Sequence, residues 1–119
     1  MATAVKRKLS GSTDGKAIKI TQAATPGDTI HTSVAGTTDG TYDEIWIWAF
    51  NSDVADRLLT IEFGGVTAPD QNIVMTIPFQ EGLIPVVPGL ILQNTMIVKA
   101  FASAANVVTV IGFVNRITD

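Results

Sequence analysis

The sequence contains no cysteine, which removes disulfides, thiolate metal centres and cysteine nucleophiles from consideration. Stability must then come from packing or from assembly. Charge is scarce as well: Asp, Glu, Lys and Arg supply 16% of the 119 residues, against about 25% in an ordinary soluble domain. A chain with 46% hydrophobic residues and so little charge tends to cover part of its surface with another subunit. No apolar stretch approaches the ~18 residues of a membrane-spanning helix. The basic start MATAVKRKLSG is not followed by the apolar run of a secretory leader. The chain is therefore expected to be made in the cytoplasm, and used there or on a particle assembled there.

The charge that is present is unevenly placed. Lys6, Arg7, Lys8, Lys16 and Lys19 face only Asp14 in the first nineteen residues, whereas Arg57, Lys99 and Arg116 face every other acidic residue. A basic segment on an acidic body can meet an acidic surface by electrostatic attraction, or it can be a soluble, frayed terminus. The breaker run Ser10-Gly11-Ser12-Thr13-Asp14-Gly15 makes residues 1–16 read as a flexible basic arm, with room for a short edge strand at 5–9. Residues 17–119 read as one domain, since this length suits a single hydrophobic core.

That domain is punctuated as strands. Ile18 and Ile20 alternate with Lys19 and Thr21, and Ile30, Thr32 and Val34 alternate with His31 and Ser33, the period of two expected of half-buried strands. Thr25-Pro26-Gly27-Asp28 separates them with turn chemistry. In YDEIWIWAFNS, Ile45, Ile47 and Ala49 share one face and Trp46, Trp48 and Phe50 the other. Both faces are apolar, so a loop or another subunit is expected over the second one. RLLTIEFGG and NIVMTIPF follow, the latter with Ile73, Met75 and Ile77 aligned. GLIPVVPGLILQN is broken by Pro85 and Pro88 and reads as short edge segments joined by a Pro-Gly turn. TMIVKAFAS and NVVTVIGFVNRI close the chain, with Ser103–Asn106 between them at hairpin spacing. No segment has a helical period. The expectation is an all-β protein, a jelly-roll-like β-sandwich of about eight short antiparallel strands, with an immunoglobulin-like sandwich second.

Chemistry-bearing residues are few. His31, the one histidine, shares the outward face with Ser33 in the alternating pattern and is expected on the surface, without the nucleophile and orienting carboxylate of an acid–base centre. Asp14, Asp28, Asp39, Asp53, Asp56 and Asp70 sit where turns need them and show no calcium-loop spacing, so no metal ligand is assigned. Asp43 and Glu44 are adjacent on a strand, so they face opposite ways and make a poor acid/base pair. Gly64-Gly65 precedes no helix, and phosphate-loop and dinucleotide fingerprints are absent, so no cofactor is expected. Nucleic acid is disfavoured because the rings of Trp46, Trp48 and Phe50 neighbour Asp43 and Glu44 rather than cations. The rings fit a chain core, a dry subunit interface or a sugar-binding face.

The segments TPGDTIHTSVAGT, YDEIWIWAFNSDVADRLLTIEFGG, GLIPVVPGLILQN and VKAFASAANVVTVIGFVNRI together resemble the small β-structured virion proteins of tailed bacteriophages, over roughly residues 17–117. The likeness is one of overall pattern. It implies a capsid decoration or cement protein, a homo-oligomer and most often a trimer, seated on the head shell against the major capsid protein. Lys6, Arg7 and Lys8 would then belong to a capsid-contact arm, and Trp46, Trp48 and Phe50 to the oligomer or shell interface. A head–tail joining or tail component and a carbohydrate-binding module for host attachment are the competing expectations. An enzyme is not expected.

Overall fold

Alternating apolar residues between Gly, Pro, Asn and Asp turns give the described residues nine strands and no helix. In the computed structural model, which describes residues 2–119, these are β1 (Thr3–Lys8), β2 (Ile18–Lys19), β3 (Asp28–Thr32), β4 (Tyr42–Asn51), β5 (Arg57–Phe63), β6 (Asn72–Ile77), β7 (Ile84–Leu92), β8 (Ile97–Ala102) and β9 (Val108–Thr118). All named strand pairs are antiparallel.

The strands form two sheets. One has the order β1-β9-β4-β7, with β2 continuing the β1 edge along β9, and the other has the order β3-β8-β5-β6. Apart from the β5–β6 hairpin, each successive pair from β2 onward lies in opposite sheets, so the chain keeps crossing from one to the other. Two facing four-strand orders linked in this way are a jelly roll, with its first strand split into β1 and β2. The core lies between the sheets, where Ile45, Ile47, Ala49, Val87, Val110 and Val114 meet Ile30, Leu59, Ile61, Ile77, Val98 and Ala100.

Three local expectations change. Residues 3–8 are not a free arm: β1 pairs along β9 from Thr3↔Thr118 to Lys8↔Phe113. Beyond it Leu9 is fully buried in the core, and the Gly11 N–H bonds the Ile30 carbonyl at 2.9 Å. The arm's first residue, Met1, lies outside the described residues. The last two strands do not pair with each other, because each is interior to its own sheet: β8 lies between β3 and β5, and β9 between β1 and β4. Ser103–Asn106 therefore bridges the sheets.

Finally, Pro88-Gly89 is not a turn. Ile84–Leu92 is one edge strand whose register against β4 slips between Ile45 and Trp46 and again between Ile47 and Trp48. Gly89 and Val86 are the unpaired bulge residues. Gly89 has φ +77°, and a Cβ there would lie 2.7 Å from the Trp46 ring. Only glycine meets both conditions.

Candidate functional site: an aromatic outer face and a buried ion cluster

The alternation of β4 works as its pleat dictates. Asp43, Ile45, Ile47, Ala49 and Asn51 are buried, while Glu44, Trp46, Trp48 and Phe50 are half-buried on the outer face of the sheet. Among the described residues neither a loop nor another strand covers that face completely. The ladder sets Trp46 opposite Phe113, Trp48 opposite Ile111 and Phe50 opposite Thr109 on β9. Trp46 and Trp48 have ring centroids 6.4 Å apart, and Phe113 lies 6.3 Å from Trp46 and 6.0 Å from Trp48. The planes lie within 29° of parallel. Offset stacking of this kind is favourable beyond the area it buries.

Polar groups frame the rings. The Trp46 indole N–H donates to Glu44 Oε1 at 2.8 Å, and the Asn115 amide donates to the same oxygen at 3.0 Å. These bonds, Trp46's first, hold the Glu44 carboxyl below its ordinary range. Lys6 Nζ stands 4.3 Å above the Phe113 ring, a cation–π contact. The structure thus joins two groups of residues singled out in the sequence: a basic residue of the N-terminal segment and the tryptophans of β4 belong to one outer face. Phe50 sits further along the strand and takes no part in the ring stack. Phe113 and Asn115 were missed. Their signal was the period of two in VTVIGFVNRI, which puts Phe113 and Asn115 on one face but does not say which strand lies alongside.

Arg7 lies on the opposite face of β1 from Lys6, across from the buried Val114, and Lys8 donates from Nζ to the Ser12 carbonyl at 3.2 Å. They line a cleft of about 350 Å³ with Ser10, His31 and Arg116, between the β1 and β3 edges. Its floor is an ion cluster. His31, expected on the surface, is 1% exposed. The register of β3 against β8 shifts between Thr29 and His31, so Ile30 and His31 are both buried and the simple alternation fails there. The Ser10 backbone N–H donates to His31 Nδ1 at 3.0 Å. That nitrogen must therefore carry the lone pair, and Nε2–H donates to Asp43 Oδ2 at 2.6 Å. Arg116 closes the cluster, with Nε 2.7 Å from Asp43 Oδ1 and Nη2 2.9 Å from Oδ2.

The titration of the cluster follows from this wiring. Burial lowers the His31 pKa and outweighs the opposing pull of Asp43. Burial alone would raise Asp43, but the hydrogen bonds and charge of Arg116, with those of His31, bring it below the ordinary carboxylate value. The folded state thus holds a neutral imidazole and an ionised, fully partnered aspartate. Although serine, histidine and aspartate meet here, the arrangement differs from a nucleophilic triad. The imidazole has no free nitrogen, and Ser10 Oγ accepts the Thr32 N–H at 2.7 Å.

The other buried carboxylate, Glu62, is likewise used in the fold. It accepts from Thr25 Oγ1 at 2.5 Å and the Gly27 N–H at 2.6 Å, fastening the β2–β3 loop onto β5. Among the described residues no group of three or more His, Asp or Glu side chains is placed to hold a metal ion. No protein-family model, no curated protein and no solved structure matches the chain.

Proposed function

We propose that this is a structural protein that acts by docking and not by catalysis. In particular, we propose a decoration protein of a tailed-phage head, forming a homotrimer and binding the major capsid protein of the assembled shell. The observation that carries the docking reading is the stack of Trp46, Trp48 and Phe113. Three near-parallel rings remain half-exposed on an outer sheet face, framed by Lys6, Glu44 and Asn115. Large rings with a polar frame suit the centre of a protein interface. The non-catalytic reading is supported by His31, whose two nitrogens are both committed to the fold. The phage assignment rests on the sequence resemblance. Binding the closed shell in preference to free capsid subunits would shift assembly toward the closed shell by mass action.

Light scattering coupled to size exclusion, followed by co-sedimentation with assembled heads from the lysate that contains the protein, tests both parts. A trimer, alone or joined to a second trimer, that sediments with heads and loses that property on Trp46→Ala is expected. A protein that never sediments with heads would sink the decoration role, and a closed ring of more subunits would move it to the head–tail junction. A glycan-binding face is the second reading, favoured by the near-parallel rings beside Glu44 and Asn115. Saturable quenching of tryptophan fluorescence by a glycan panel would support it.

A further inference from the structure

Every open sheet has two edges, and an unprotected edge pairs readily with another strand. Three of the four edges in this sandwich are blunted. β1 carries Lys6, Arg7 and Lys8 in succession, so two copies would repel. β7 contains Pro85 and Pro88 and two register slips. β3 is bulged, and the segment after β1 lies on it, through the Gly11 N–H to the Ile30 carbonyl and Ser10 Oγ to the Thr32 N–H.

β6 has none of these defences. NIVMTI holds no charge and no proline, and its register against β5 is unbroken from Arg57↔Ile77 to Glu62↔Asn72. No charged residue lies between Asp70 and Glu81.

The register also shows which main-chain groups are free. The Phe63 N–H bonds the Gln71 carbonyl at 2.8 Å. In an antiparallel ladder the bonded positions alternate, so Ile73, Met75 and Ile77 turn their backbone groups toward β5. Val74 and Thr76 turn theirs outward. Val74 is 53% exposed, and Leu58, which lies opposite Thr76 on β5, is 47% exposed, so the free edge carries exposed apolar groups as well as unpaired ones.

We propose that β6 pairs with β6 of a second copy across a two-fold axis through Met75, joining the two four-stranded sheets into one continuous sheet. The occupant follows from the pattern. With Met75 on the axis, Val74 of each copy stands opposite Thr76 of the other. Both residues then give their outward N–H and accept at their outward carbonyl. No like charges meet at any position of the pairing. Val74 and Leu58 of each copy gain apolar cover from the other. A two-fold contact of this kind closes on itself and does not propagate into a fibre. The inference deepens the self-association part of the proposed function: a trimer built on the tryptophan face and paired through β6 is a hexamer of two trimers. Loss of the β6 contact then leaves a trimer and loss of the tryptophan-face contact leaves a dimer, so the two fail separately.

Thr76→Pro is the test, because that N–H points away from β5 and the monomer does not need it. The full chain, its Thr76→Pro and Val74→Lys variants, and Trp48→Ala are compared by light scattering over a dilution series. The expected result is a mass that is an even multiple of 12.6 kDa, a value that Trp48→Ala leaves even. Thr76→Pro, which deletes one donor on each side, weakens the pairing about tenfold to a hundredfold with the far-ultraviolet spectrum unchanged. In this cysteine-free chain Val74→Cys also yields a covalent dimer with a short thiol cross-linker, and Val54→Cys does not. An odd multiple of the monomer mass, or an even mass and a cross-link that survive Thr76→Pro, overturns the proposal.

Discussion

Asparagine at position 43 is nearly the same shape as the aspartate it replaces, yet the structure makes Asp43→Asn one of the more damaging single changes available. The Ser10 N–H fixes the lone pair of His31 on Nδ1, so Nε2 can only donate. Arg116 can only donate too. A carboxylate accepts from both sides. An amide accepts on one side and donates on the other, so whichever way it turns, one N–H faces another N–H in a buried site. Breaking a buried ion pair by removing one partner costs roughly 3–5 kcal/mol. The Arg116 side chain is 23% exposed and can turn toward water, which reduces the figure to about 2–4 kcal/mol. A domain of this size is stable by only about 5–15 kcal/mol.

The assay is urea unfolding followed by tryptophan fluorescence, where a loss of ~3 kcal/mol lowers the midpoint by about 1–3 M. The loss should shrink when His31→Phe and Arg116→Met are added, because no donors then remain to be stranded. An Asp43→Asn midpoint within about 0.3 M of the wild type would refute the tautomer argument.

The same cluster predicts a pH dependence. With the folded pKa of His31 lowered from 6.5, its contribution is complete above pH 6.5 and is lost as pH falls toward the folded value. The slope is at most about 1.4 kcal/mol per pH unit, and His31→Gln should remove that slope from urea midpoints measured between pH 7 and pH 5. Asp43, also lowered, adds a further loss below its unfolded value of 3.8, visible in acid unfolding. Leu9→Ala should cost about 2–4 kcal/mol by the same urea assay, since Leu9 is fully buried; a cost near zero would restore the free-arm description of the N-terminus. Gly112→Ala should destabilise by at least about 1–3 kcal/mol, because a Cβ there would collide with the Trp46 carbonyl oxygen across the β4–β9 ladder.

What the sequence determined by itself was the class of structure and the division of β4 into an inner and an outer face. Both depend on a period of two and on turn residues, which act through the pleat and through φ at single positions. Ile45, Ile47 and Ala49 could be placed inside, and Trp46, Trp48 and Phe50 outside, without knowing any partner strand. Only the tertiary structure decided the rest, because pairing and register join residues far apart in the chain. It put Phe113 against tryptophans more than sixty positions earlier, docked residues 3–8 along β9, and separated the last two strands into different sheets. The burial of His31 shows the limit most clearly. One register slip between Thr29 and His31 turned a residue that the local pattern points outward into a buried partner of Asp43. No local pattern records a slip that exists only between two strands.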